Sequence, residues 1–153
     1  GDAEAALYEQ FHLDEPWDSP HNIQLLPQMP DVYRCPSQPD QTTGKTIYIA
    51  PKGSNYYLSP IGEELGFASV RDGTSNTIAV VQVPASAGIE WTKPDANWSD
   101  NNEWIFENTV FPGGFLIATM DGAVRFLPTD FDRLSFNAML TRNAGDTISD
   151  SRY

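Results

Sequence analysis

The segment that most constrains the fold is 111–128, where two apolar runs flank Asp121-Gly122. Asp-Gly is a pair favoured in two-residue type I′ turns, so the segment predicts a β-hairpin with strands at 115–120 and 123–127. Because the two strands of a hairpin run in opposite directions, this part of the chain is committed to an antiparallel sheet.

Further strands are predicted on the N-terminal side of the hairpin. The segment 77–83 carries a run of branched apolar residues, which predicts a central strand covered on both faces. The segments 31–37 and 45–50 predict shorter strands. Between the central strand and the hairpin, residues 84–109 are polar and rich in tryptophan, and we interpret them mostly as loop.

Helices are predicted near both ends of the chain. Residues 3–11 place apolar side chains near helical spacing. Ser19 as N-cap, with Pro20 at the first helical position, predicts a second and short helix. The segment 129–146 predicts the last helix, with an apolar face and a stop signal at its end. The candidates for its N-cap are Asp130 and Asp132.

These elements predict a single α+β domain over residues 1–153, with an antiparallel meandering sheet, short N-terminal helices and a C-terminal helix. The tail 146–153 is expected to fray. A chain of 153 residues buries a sufficient core without disulfides. The single cysteine, Cys35, is interpreted as a small, half-buried apolar residue.

The charge of the chain excludes some classes of partner. It carries 21 acidic residues against 9 basic ones, a formal net charge of −12. Nucleic acid is excluded as a partner because phosphate binding needs a basic surface. Docking on anionic lipid is disfavoured for the same reason.

Both histidines fall in one short segment, 11–22, together with three carboxylates. Zinc sites that include carboxylates usually also need two or three histidines in fixed geometry, so a zinc or catalytic site is the weaker interpretation. In the stronger one, two prolines stiffen a corner, a tryptophan plugs it and a cap residue begins the next helix. The residues assigned to this corner are Trp17, Asp18, Ser19, Pro20 and His21.

A second structural motif is the turn built on Asp72, Gly73 and Asn76. In such a turn the Asp and Asn side chains are expected to bind backbone amides. The sequence contains no G-x-S-x-G, S-x-x-K, H-E-x-x-H or P-loop signature. We therefore predict no catalytic residue and no enzymatic activity.

Calcium is the one cofactor that the sequence brings into question. The segment 95–103 places oxygen-bearing side chains at alternate positions, as the first ligands of a calcium loop are placed. It departs from that pattern at Asp100, where glycine is expected, and at Phe106, where glutamate is expected. A solvated polar loop is the alternative. The candidate ligands are Asp95, Asn97, Ser99 and Glu103.

The tryptophans of the long loop, together with a Tyr-Tyr pair earlier in the chain, suggest a ligand-binding alternative. They could stack on sugars or apolar ligands, or they could anchor the loop to the body of the domain. The candidates are Trp91, Trp98, Trp104, Tyr56 and Tyr57.

Seven motifs along the chain resemble those of one family. They are ALYEQFHLDEPWDSPHN, MPDVYRCPS, GKTIY, DGTSNTIAVV, WTKPD, PGGFLIATMDGAVRFLP and LTRNAGD. In this order, from residue 6 to residue 146, the chain resembles the planctomycete-type domain-of-unknown-function family fifteen fifty-nine. Some members carry a bacterial solute-binding label. The resemblance implies no established catalytic residue and no established ligand.

Members of that family look like type IV pilins or type II secretion pseudopilins, which places the expected protein at the cell surface. The resemblance implies a pilin-like head, extracytoplasmic and anchored, from which the N-terminal stem helix has been removed. Its expected partners are other pilin-like or secretion-apparatus subunits, with the membrane reached only through that helix. The chain departs from the family at Phe111, where members often have histidine, and at Leu116, where they often have a polar residue.

Three hypotheses of function follow from the sequence. The first is a non-enzymatic domain for assembly or presentation, the second an extracytoplasmic binding module, and the third and weakest a hydrolase that uses Asp or His. A pilin-like head needs a sheet that packs on the stem helix, which the strands at 77–83 and 115–127 could supply. Without that helix, an apolar strip should be left partly uncovered.

Overall fold

The computed structural model describes residues 2–38, 44–53, 55–58, 65–94 and 102–153. Within these ranges the chain has an α+β fold, as predicted. The two α-helices are α1 (Asp2–Tyr8) and α2 (Arg133–Leu140). The strands are β1 (Lys45–Thr46), β2 (Tyr48–Ile49), β3 (Ile78–Gln82), β4 (Ile89–Glu90), β5 (Gly114–Thr119) and β6 (Val124–Pro128). Short 3-10 turns lie at Asn22–Gln28, Asp31–Tyr33, Phe67–Ser69, Ala85–Ala87 and Glu103–Phe106.

The main sheet has four antiparallel strands in the order β2-β3-β5-β6. Its register aligns Val81 with Ile117 and Phe115 with Leu127. The strand β3 is central, as the run of branched residues predicted. The remaining strands, β1 and β4, pair with each other as a separate two-stranded ribbon.

One face of the main sheet is closed over the core. Phe115 on β5 and Phe136 on α2 are both buried. Each packs edge to face with Phe106, at ring-centre distances of 5.0 and 5.1 Å. The side chain of Asp132 caps α2 by accepting a hydrogen bond from the amide of Ser135 at 2.7 Å. The core therefore lies between this face and α2.

The other face, which we call the outer face, is only partly covered. Val80 of β3 is half-buried, although the sequence predicted burial on both sides of this strand. Val124 and Phe126 of β6 are 66% and 45% exposed. The hydrophobic run indicates that both faces of β3 carry apolar side chains. It does not indicate whether another part of the chain packs against each face.

The turn of the β5–β6 hairpin differs from the predicted one. The amide of Gly122 donates to the carbonyl of Thr119, and the amide of Thr119 donates to Ala123, at 2.9 Å each. Gly122 has a φ of 84°, whereas Asp121 has a negative φ. This is a three-residue loop, a turn followed by one left-handed glycine, and not the two-residue type I′ turn that we predicted.

Near the N-terminus the structure replaces two predicted elements by 3-10 turns. The hydroxyl of Ser19 accepts the amide of Asn22 at 3.1 Å, as expected of a cap, but the following helix is a 3-10 turn over Asn22–Gln28. The strand predicted at 31–37 is wrong. Prolines at both ends of this segment remove backbone donors, and the chain turns at Asp31–Tyr33 instead.

The C-terminal tail, which we expected to fray, is held against the body. The hydroxyl of Ser135 accepts the amides of Ser149 and Asp150 at 3.0 and 3.1 Å. The phenol of Tyr153 donates to the side-chain oxygen of Asn76 at 3.0 Å, and its ring packs against the core. Polar side chains of the tail thus find partners across the fold, a property that its composition does not reveal.

Candidate functional site

The outer face carries the main candidate site, an apolar groove with a volume of about 490 Å³. Strands β2, β3, β5 and β6 form its floor, and the 3-10 turn Asp31–Tyr33 forms one wall. The wall places Val32, 74% exposed, and Tyr33, 40% exposed, beside the sheet. The floor and neighbouring side chains are Tyr48, Ala50, Val80, Gln82, Leu116, Ala118 and Val124.

The floor has two rows of side chains that run across the strands. Pairing aligns Val80, Ala118 and Val124 in one row. The other row contains Leu116, which pairs with Phe126, and the larger side chains beside them. Because the first row is made of smaller residues, the floor is a trough and not a flat surface.

A glycine in β5 makes room for the ring of Phe126, which belongs to the row of larger side chains. A Cβ atom on Gly114 would collide with the ring of Phe126 and with the carbonyl oxygen of Leu127. The ring of Phe126 therefore lies directly over the backbone of β5 at this position. This close approach explains the second glycine of the Pro-Gly-Gly motif.

The polar side chains in the groove are neutral and satisfied. Gln82, only 1% exposed, accepts the amide of Leu116 at 3.2 Å and donates to the sulfur of Cys35 at 3.5 Å. Burial, together with a hydrogen bond to Cys35, raises the pKa of Tyr48 to about 12. In the described part of the chain, no charged residue lines the groove. Its chemistry is therefore that of an apolar docking surface.

The histidine corner is built around a buried asparagine that the sequence analysis missed. Asn22, 2% exposed, donates to the carbonyls of His12 and Pro16 and accepts the amide of His12, all at 3.0 Å. All three bonds lie within the corner. The signal that could have found Asn22 is its place three residues after the capping serine, where a polar side chain can turn back onto the preceding loop.

The two histidine rings are parallel and stacked, with centres 3.6 Å apart and an interplanar angle of 4°. His12 donates through Nδ1 to the carboxylate of Glu15 at 3.0 Å, and His21 donates through Nε2 to the carbonyl of Gln10 at 2.8 Å. Within the described ranges, no three His, Cys, Asp or Glu side chains are placed to hold a metal ion. Trp17, Asp18 and Pro20 lie in the same corner.

The turn motif binds the backbone amides of a distant segment. The carboxylate of Asp72 accepts the amides of Ala144 and Gly145, both at 2.9 Å. The side chain of Asn76 donates to the carbonyl of Asp72 at 3.0 Å, and Gly73 adopts a φ of 94°. We call these contacts the Asp72 latch, because they fasten the chain after α2 to the start of β3.

The carboxylate of Asp121, at the tip of the β5–β6 hairpin, is held by hydrogen bonds within the loop. Asp121 accepts the hydroxyl of Thr119 at 2.6 Å and the amide of Ala123 at 3.1 Å. These bonds lower the pKa of Asp121, since both favour the ionised form.

Most of the candidate calcium ligands cannot be placed. Asp95, Asn97 and Ser99 lie outside the described residues. Glu103 is described, and its carboxylate accepts the Nε of Arg133 at 3.1 Å. The calcium hypothesis stays a prediction.

The aromatic candidates that the structure describes make separate contacts. The indole of Trp91 donates to the carbonyl of Leu26 at 3.1 Å and stacks on Tyr33 at 5.5 Å, near one end of the groove. Trp104 packs partly buried against the core, as does Tyr56. Tyr57 donates to the carbonyl of Leu65 at 3.3 Å. Trp98 lies outside the described residues.

No helix in the described ranges is long and apolar enough to cross a membrane. No curated protein and no solved structure matches the chain. A family model described as "Protein of unknown function (DUF1559)" matches residues 3–64. The matched part includes α1, the histidine corner, the wall of the groove and the strand β2. This match agrees with the family resemblance that the motifs indicated, over residues 3–64.

Proposed function

We propose that this chain is the head of a pilin- or pseudopilin-like protein and that its role is assembly or presentation, without catalysis. In this proposal an apolar α-helix, the stem helix of a pilin-like protein, packs into the groove on the outer face. The observation that carries the proposal is the uncharged, partly exposed floor formed by four strands.

The dimensions of the groove support a helix as its occupant. Adjacent strands lie about 4.8 Å apart, so four strands span roughly 15 Å between the outer two. A helix with side chains is about 10–12 Å across, so one helix fits this width. The row of Val80, Ala118 and Val124 gives the helix a shallow track, and Val32 stands beside it as a wall.

The proposal extends to partners and location. We propose that the protein acts outside the cytoplasm, anchored by the helix that the groove seats, and that it assembles with other pilin-like or secretion-apparatus subunits. Leu116, which replaces a polar residue common in the family, adds apolar surface to the floor. This substitution favours packing over chemistry at that position.

Native protein from fractionated cells tests the proposal. N-terminal sequencing and intact mass should show a processed, methylated N-terminus on an apolar helix, in the membrane or filament fraction. In the same cells, Leu116→Lys should abolish assembly, measured as cross-linked higher-order species, because it places a charge on the floor. Leu134→Lys is the matched control, since Leu134 is 78% exposed on α2 and does not line the groove.

The alternative is an extracytoplasmic binding module for a small apolar molecule. The observation in its favour is the volume of about 490 Å³, which falls in the range of small-molecule sites, with Tyr48 and Gln82 as polar handles. A conventional secretion cleavage site on a soluble periplasmic protein would reject the pilin-like role and favour this one.

A further inference from the structure

A second cavity, distinct from the groove, lies beside Trp91 and has a volume of about 430 Å³. We call it the Trp91 cavity. Aromatic rings line it from three segments: Tyr8 at the end of α1, Phe11 and Trp17 in the histidine corner, and Trp91 after β4. Rings from separated segments thus meet at one opening.

The ring of Trp91 is held in place by three contacts. Its indole nitrogen donates to the carbonyl of Leu26 at 3.1 Å. Phe11 meets it at 5.8 Å with an interplanar angle of 82°, and Tyr33 stacks on it at 5.5 Å. A ring fixed from several sides loses little conformational entropy when a ligand binds, so the cavity is preorganised.

An acidic side chain lines the cavity, beside the imidazole of His12. Glu15 lines it, and hydrogen bonds from Ser19 and His12 lower the pKa of Glu15. Its carboxylate therefore stays ionised at neutral pH. Neither lysine nor arginine lines this cavity in the described part of the chain.

One of the rings already attracts a cation from the protein itself. The ammonium of Lys93 lies 5.7 Å from the ring centre of Trp17. The faces of aromatic rings attract positive charge through their quadrupole, most strongly for tryptophan. The rim of the cavity therefore already holds one positive charge against a ring face.

We propose that the Trp91 cavity binds an organic cation that carries a methylated or quaternary ammonium group. Such a cation has apolar methyl groups that pack on ring faces and a charge that both the rings and Glu15 attract. The proposal does not rest on the pilin-like role, since it concerns a different cavity.

The polar groups of the cavity distinguish this ligand from a sugar. Asn22 already uses its side-chain amide in three hydrogen bonds within the corner, and His12 already donates to Glu15. A sugar needs several free donors and acceptors at fixed positions, whereas a methylated ammonium needs ring faces and a carboxylate. The observed lining therefore favours the cation.

Titration with choline, followed by calorimetry and by the indole resonance of Trp91, tests this proposal. The matched probe is 3,3-dimethylbutan-1-ol, which has the shape of choline but no charge. We expect saturable binding of choline and about threefold weaker binding of the neutral alcohol, since the loss of one partly exposed charge contact weakens binding by at most about fivefold. Equal binding of the two probes, or no binding of choline, would overturn the proposal.

Two variants with the same change in net charge locate the site. Glu15→Gln should weaken choline binding about threefold, again the size expected for one such charge contact. Glu9→Gln removes an exposed acid close by in sequence that does not line the cavity, and it should leave binding unchanged. An equal loss in both variants would mean that only the general negative charge of the protein attracts choline.

The variant Lys93→Gln should change the affinity for choline in the opposite direction to Glu15→Gln. Because Lys93 competes for the face of Trp17 and repels a second cation, its neutralisation should tighten the binding of choline. Weaker binding in this variant would contradict the proposed position of the ligand.

Discussion

Replacing Asn22 by alanine should destabilise the protein more than any other single truncation in the histidine corner. The change removes two donated hydrogen bonds and one accepted bond, each 3.0 Å long. Asn22 is 2% exposed, so water does not replace these partners without opening the corner. The carbonyls of His12 and Pro16 would then each lose a donor.

The magnitude follows from the number of bonds. A hydrogen bond within a protein contributes about 1 kcal/mol net, so three bonds give a loss of about 3 kcal/mol in the free energy of unfolding. For a chain of this size each kcal/mol lowers the melting temperature by about 2–4 °C, which predicts a decrease of roughly 6–12 °C.

Urea unfolding monitored by tryptophan fluorescence measures this loss. The midpoint should fall while the slope stays unchanged, because the surface exposed on unfolding is nearly the same. Asn143→Ala, at an exposed asparagine, is the control and should change the stability by less than about 0.5 kcal/mol. Asn22→Asp keeps the shape of the side chain but loses the amide donors to both carbonyls, and it should be at least as destabilising as alanine. A loss below about 1 kcal/mol in Asn22→Ala would refute the view that this residue organises the corner.

Three further predictions follow from other parts of the fold. Gly114→Ala should cost about 1–3 kcal/mol in unfolding free energy, measured by urea titration, because its Cβ collides with the ring of Phe126; a neutral effect would show that the ring moves freely. The pKa of Asp150 is lowered, chiefly by Arg152, so its contribution to stability is present above its ordinary pKa of 3.8 and is lost as pH falls through the lower folded value. Asp150→Asn should therefore flatten the decline of unfolding free energy between about pH 4 and pH 2, and an unchanged slope would contradict this assignment. His21→Ala should lower the thermal stability and leave the metal content, measured by mass spectrometry, as it was; stoichiometric zinc that disappears in this variant would establish a metal site instead.

The sequence was informative where a local signal has a single structural meaning. The branched run at 77–83 predicted a central strand, and the paired apolar runs beside Asp121 predicted a hairpin, and both are present. The hairpin loop differed because an Asp-Gly pair also suits a three-residue loop with glycine at its last position. The choice between the two depends on how the neighbouring strands align, which the pair itself does not encode.

The candidate site was predictable in kind but not in its members. The resemblance led to the expectation of an uncovered apolar strip, and the outer face has one. Its wall at Asp31–Tyr33 was missed, because the same residues were interpreted as a strand. Asn22 and Gln82 were missed for another reason: a polar residue that is buried and fully bonded resembles, in the sequence, a polar residue on the surface. Only long-range contacts distinguish the two.

The Asp72 latch has a consequence for the order in which the chain folds. It joins residues separated by 72 and 73 positions, and the tail beyond it returns to Asn76 across 77 positions. Contacts between such distant residues close large loops, so they form late and slow the overall folding rate. During synthesis, which starts at the N-terminus, Asp72 and β3 are made before residues 144 and 145. The latch therefore cannot form until residue 145 has been added. During that interval the carboxylate of Asp72 would lack the amides of Ala144 and Gly145.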